Sequence, residues 1–234
     1  APDQLRQRVA FALSELFVVS DVSLGQPYTE GLARYYDLLG EGSFGNFRPL
    51  LEQVTLSPIM GNYLSHLRNA KADPTSGTYP DENFAREVMQ LFTIGLHRLH
   101  PDGTLQLGAD ALPIPTYDLT TITAMARVFT GWAYPSANAG AFRSAAPNYL
   151  TPMQLFPAYH DDGAKRIVGD TSLPAGQGGV RDLQQTLDAL FQHANTPPFI
   201  ARHLIQRLVT SNPSPAYVYR VAARFRDNGA GVRG

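Results

Sequence analysis

The sequence predicts an all-α fold: an orthogonal bundle of about eight helices with one long irregular excursion at about 132–179, in a single domain over 1–234. Three observations predict it. Apolar residues recur at three- and four-residue spacing along most of the chain, which gives each helix one buried stripe. Those runs are bounded by capping residues, prolines and glycines in the places where helices use them. The period is lost between Trp132 and Gly179, where Gly, Pro, Ala, Ser and aromatics crowd together. A stretch of that length is functional or disordered, and its aromatic content argues against disorder.

The elements follow in order. Leu5, Val9, Ala12, Leu13 and Leu16 form the stripe of a first helix, closed by Val18-Val19 and a polar turn at Ser20-Asp21. A second runs from Tyr28 to Leu39, with Thr29 as its cap and Gly40 as its stop. A third covers Phe44 to Leu56, and Ser57-Pro58 restarts the chain for a short fourth, to about Leu67. Residues 69–80 are a loop by composition. Phe84, Val88, Leu91, Phe92 and Gly95 share one face of the next helix, with Asp81-Glu82 in its first turn where backbone amides are unpaired. A small hairpin is expected around Leu105 to Leu107. Asp118 or Thr120 then caps a helix through Ile122, Met125 and Phe129, stopped at Gly131. Three closing helices carry Leu183, Leu187 and Leu190; Ile200, Leu204 and Leu208 behind Thr196-Pro197-Pro198; and Val218, Val221, Ala222 and Phe225.

At 234 residues the chain can bury a substantial core. Its 44% apolar and 17% charged content excludes wholesale disorder. A net charge of -1 supplies no basic field for a phosphate backbone, so nucleic acid is not an expected partner. The absence of cysteine excludes disulfides, thiolate catalysis and cysteine-ligated metals. No apolar run approaches the ~20 residues of a membrane helix, so no transmembrane segment is expected. The chain begins at Ala1 without a visible export signal and stops at Gly234 beyond the last helical stripe, and it is expected to be a fragment of a longer protein.

Two stretches carry candidate chemistry. In PDENFAREVMQLFTIG, Asn83, Glu87 and Gln90 flank the apolar face, so the Glu87 carboxyl is expected half-buried, with its pKa raised as a general acid or base requires. Arg86 points about 100° away on an ideal helix, so the partner of Glu87 is expected from His160, Lys165 or an N-terminal arginine. The structural alternative is that Asn83, Arg86 and Glu87 tie this helix to its neighbours. In the second stretch, Tyr159-His160-Asp161-Asp162 precedes Lys165 and Gly169. A histidine beside carboxylates can shuttle protons or bind metal, and it can equally order a loop. His66, His97, His100, His193 and His203 fall in no ligand motif, and no metal site is assigned. Trp132 reads as a buried anchor before a sugar-stacking platform.

Five segments resemble the bacterial domain-of-unknown-function 1800 family: RVAFALSELFVVSD (8–21), ENFAREVMQLFTIG (82–95), ARVFTGW (126–132), HDDGAKRIVG (160–169) and the closing stretch 196–229. They occur in the family's order and cover nearly the whole chain. The resemblance implies an α-helical protein, usually longer at both ends, often secreted or periplasmic, and frequently encoded near another uncharacterised exported protein, which is the one candidate partner. It implies no established reaction and leaves any cofactor unknown. The motif positions that carry over are Asn83, Arg86, Glu87, Thr130, Gly131, Trp132, His160, Asp161, Lys165 and Gly169. Asp81 departs from the pattern, where the family more often has asparagine.

Two functional classes follow. One is an exported helical protein with a binding or assembly role in the cell envelope or extracellular space. The other is an extracytoplasmic hydrolase or lyase in which Glu87 is the acid/base, assisted by His160 and Asp161, with Asn83, Arg86, Trp132 and Lys165 as binding groups. Convergence of Glu87, Arg86, His160 and Lys165 on one cleft favours the enzyme, and scattering favours the binding role.

Overall fold

Helix boundaries are set by local chemistry at each end, in a computed structural model that describes residues 3–21 and 28–234. Among these residues nine helices form, where the sequence predicts about eight: α1 (Gln4–Ser14), α2 (Thr29–Gly42), α3 (Phe47–Leu56), α4 (Pro58–Tyr63), α5 (Asn83–Gln90), α6 (Leu119–Val128), α7 (Gly179–Gln192), α8 (Thr196–Leu208) and α9 (Pro215–Arg226). α3 and α4 stay separate because Ser57 is extended ahead of Pro58. The capping side chains that do bond are Asn46 to the Arg48 amide, Asp118 to that of Thr121, and Ser214 to that of Tyr217.

Several boundaries differ from the sequence reading: α2 runs through Gly40 to Gly42, α3 starts at Phe47 and not at Phe44, and α4 ends at Tyr63 and not near Leu67. α1 ends at Ser14, before the β-branched Val18-Val19. α5 ends at Gln90 and not at Gly95, because the amides of Ile94 and Gly95 both turn back to the Met89 carbonyl. Gly95 then reverses the chain in the left-handed region, with the Phe199 ring 2.9 Å from where a Cβ would sit.

The core draws on α1 to α8, with Phe17, Leu51, Met60, Phe84, Met125 and Leu187 fully enclosed. A fully buried phenylalanine such as Phe84 contributes about 1.5–3 kcal/mol. α9 packs on α8 through a separate cluster of Ala201, Ile205, Val218 and Ala222.

The excursion is ordered by a small apolar cluster shared with Ala70 and by Trp132, Met153, Ile167, Val168 and Leu173, which enter the main core. β1 (Trp132–Ala133) pairs antiparallel with β2 (Gln154–Leu155), and β3 (Lys165–Arg166) with β4 (Ser172–Leu173). Phe142, Phe156 and Ala133 are buried together, and Tyr159 stacks on Phe142 at 4.0 Å.

Residues 96–116 form more than the expected hairpin. Three short extended stretches pair with one another in a closed ring. The Arg98 amide donates to the Ile114 carbonyl, the Ile114 amide to Gln106, and the Gln106 amide back to Arg98. Asn195 fastens this ring to the α7–α8 corner by accepting from the Leu99 amide and donating to the Ile94 and His97 carbonyls.

Candidate functional site

The stretch HDDGAK runs between α6 and α7 and is held by both. Asp182, in the first turn of α7, collects the bonds: His160 Nε2 at 3.1 Å, Lys165 Nζ at 2.6 Å and Gln177 Nε2 at 2.6 Å. His160, Lys165 and Asp182 are all buried, none more than 4% exposed. Burial pushes the Asp182 carboxyl up, but hydrogen bonds from His160, Lys165 and Gln177 outweigh it and bring the pKa down to about 2. Lys165 is fully engaged, since its remaining hydrogens go to the Asp161 and Gly163 carbonyls. The other ring nitrogen of His160, Nδ1, faces the Thr130 carbonyl at 3.0 Å.

The neighbouring carboxylates are also tied. Asp161 forms a two-pronged pair with Arg127 of α6, at 2.8 and 2.9 Å, and accepts from the Gly163 amide. The Arg127 hydrogen bonds hold its carboxyl below the usual range against the opposing effect of burial. Asp162 accepts from the Gly178 amide at the entry to α7.

Glycines make room for the imidazole. A Cβ on Gly131 would lie 2.9 Å from the His160 amide nitrogen, and one on Gly179 2.9 Å from the imidazole ring. Gly131 also adopts φ 85°, which side-chain-bearing residues rarely hold.

Glu87 is half-buried, as its place beside the apolar stripe predicts. The expected partner is absent among the described residues: Oε2 is enclosed and receives no hydrogen bond, while His160 and Lys165 are bound to Asp182, and Arg6 to Asp3 and Gly40. Burial raises the Glu87 pKa. Tyr117 lies near enough for the Glu87 charge to add to the effect of burial in raising its own pKa. Arg86 pairs with Glu82 at 2.6 Å, and Glu82 accepts from Thr123 of α6, so this ion pair belongs to the α5–α6 seam. Asn83 is exposed. Trp132 is 5% exposed, with its indole N–H unpartnered, and presents no ring face to solvent.

The candidate residues therefore fall into two groups that no hydrogen bond or ion pair among the described residues joins. His160, Asp161 and Lys165 belong to the α6–α7 cluster, and Arg86 and Glu87 to α5. His66 does not join His160 but stacks on Phe84 at 3.8 Å, with Nε2 facing the Thr55 carbonyl. Among the described residues no three His, Cys, Asp or Glu side chains gather into a metal-ligating group.

Sequence reasoning missed Asp182, Arg127 and Gln177. For Asp182 a signal was present. It precedes Leu183 and stands four residues before Thr186 on the buried face of α7, a charge inside an apolar stripe. Such a charge needs partners. Compared with known proteins, residues 1–233 match the model of a family described as "Protein of unknown function (DUF1800)". No curated protein and no solved structure matches the chain.

Proposed function

The chain belongs to this family of unknown function, and on that premise we propose that it is a binding or assembly module of the bacterial cell envelope or extracellular space. One observation carries the reading. The polar side chains of HDDGAK are engaged in internal bonds that clasp the excursion to α6 and α7, and no hydrogen bond or ion pair among the described residues joins them to Glu87 or Arg86. A buried network of this kind, with each member bonded, fixes one packing of the chain. Export rests on the resemblance of the sequence to a family whose members are often exported.

Fractionation of the source bacterium, with native gels and cross-linking of the full-length protein, tests the proposal. The expected result is a discrete complex outside the cytoplasm. A full-length protein found only in the cytoplasm as a free monomer overturns it.

A specific observation favours a second reading, a hydrolase or lyase. The enclosed, unpartnered Glu87 oxygen beside Tyr117 suits a proton donor. In that case Glu87 acts without His160 or Asp161. Turnover in a panel of ester, glycoside and peptide substrates, abolished by Glu87→Gln, would replace the binding proposal with this one.

A further inference from the structure

We propose that the pocket between the 96–116 ring, the 167–170 turn and the α7–α8 corner binds a small hydroxylated anion, through a carboxylate or phosphate group. The cavity measures about 270 Å³ and gathers side chains from four separate stretches of chain, among them Arg98, Gln106, Thr116, Thr121, Asp170 and His193. That is at the lower edge of the size range of small-molecule sites, so the ligand is small.

The donors come first. The Arg98 guanidinium has no hydrogen bond or ion pair among the described residues. Nδ1 of His193 accepts from the Asn195 amide at 3.1 Å, which places the ring hydrogen on Nε2 and leaves that N–H as a second donor. Burial, and then the charges of Arg98 and Arg233, push the His193 pKa down, so a positive potential acts at this ring. Arg233 itself is engaged with the Phe191 and His193 carbonyls. The nearby negative charges are neutralised or engaged. Asp170 is paired with Arg166 at 2.9 Å, and Asp118 caps α6 through Thr121. A carboxylate or phosphate supplies the missing counter-charge for Arg98.

The acceptors narrow the class. Gln106 donates one amide hydrogen to the Leu99 carbonyl and keeps the other, and Thr116 commits its hydroxyl hydrogen to the Gly95 carbonyl. Each offers oxygen lone pairs to the pocket. These suit the hydroxyl of a hydroxy acid, or the hydroxyl of a singly protonated phosphate. Asn195, also on the wall, has its side-chain groups engaged with the ring and keeps it in place.

The experiment titrates the protein with glycolate, acetate, inorganic phosphate and chloride, read by amide chemical shifts and calorimetry. Saturable binding of glycolate or phosphate is expected, with shifts centred on Arg98, Gln106 and His193, several-fold weaker for acetate and absent for chloride. Glycolate without phosphate assigns a carboxylate ligand, and phosphate without glycolate a phosphate ligand. Arg98→Gln should weaken binding at least tenfold, and Arg8→Gln, at an exposed residue that does not line the pocket, should leave it unchanged. The exposed Arg98 side chain holds nothing in the fold, so the variant should keep its melting temperature. Absence of saturable binding, equal affinity for glycolate and acetate, or an Arg98→Gln protein that binds as the parent does would each overturn the proposal.

Discussion

Asp182→Asn removes one charge while keeping the side-chain shape, and it leaves Lys165 and His160 buried without their carboxylate. Breaking a buried pair from one side costs about 3–5 kcal/mol, because the stranded cation cannot reach water. The depressed pKa gives a second, independent figure. A fall from 3.8 to about 2 in the fold corresponds to about 2 kcal/mol. The folded-state pKa is the lower one, so this stability is present above the unfolded pKa of 3.8 and lost as pH falls toward 2. Urea unfolding followed by far-ultraviolet circular dichroism should therefore show a large gap between parent and variant at pH 7. About 2 kcal/mol of that gap should close between about pH 5 and pH 2. Adding Lys165→Met removes the stranded cation, so the double variant should be more stable than the summed single effects by roughly 0.5–3 kcal/mol. An Asp182→Asn protein within 1 kcal/mol of the parent at pH 7, or a gap independent of pH, would refute the argument that this carboxylate organises the α6–α7 cluster.

Gly131→Ala and Gly176→Ala share a left-handed backbone penalty of about 1–2 kcal/mol. Only Gly131 faces His160, so its variant should lose clearly more stability in the same urea assay, and equal losses would remove the steric role assigned to it. Glu87→Gln should be neutral or stabilising at pH 7, with the difference vanishing toward pH 4, because a raised carboxyl pKa means the fold disfavours the charge. Thermal melts at both pH values check this, and a clear loss at pH 7 would mean that Glu87 has a partner. His66 should titrate near 4 by imidazole NMR, because burial lowers it more than the Thr55 carbonyl raises it. Its protonation should cost about 3 kcal/mol of stability as pH falls from 6.5 to 4.

Much of the helical framework was legible because it is local. The buried places of Phe84, Val88 and Phe92, the stop at Gly131 and the cap at Asp118 depend on residues within two turns of each other, though Leu91, read on the same face, is exposed just past the end of α5. The number of helices and the true end of α5 were less so. The helix closes where the amides of Ile94 and Gly95 turn back to the Met89 carbonyl, while Gly95 itself is held against Phe199, more than a hundred residues on. The half-buried place of Glu87 followed from its helical angle. Its want of a partner did not, since that is decided by where His160 and Lys165 go. Those two are claimed by Asp182, 22 and 17 residues further along, through the path of an excursion with no period to read. The charge on the α7 stripe announced that partners were needed without saying which.

The ring at 96–116 has a bearing on how amide protons exchange. Each of its three central amides is held by the carbonyl of the next strand around, so no strand can peel away without freeing a bond on each side. A flat hairpin frays from its open end, residue by residue. A closed triangle has no such end. The amides of Arg98, Gln106 and Ile114 should exchange at one common rate, as a single opening unit. Arg98, Gln106 and Thr116 would then enter and leave their places together, and the wall they form behaves as one block.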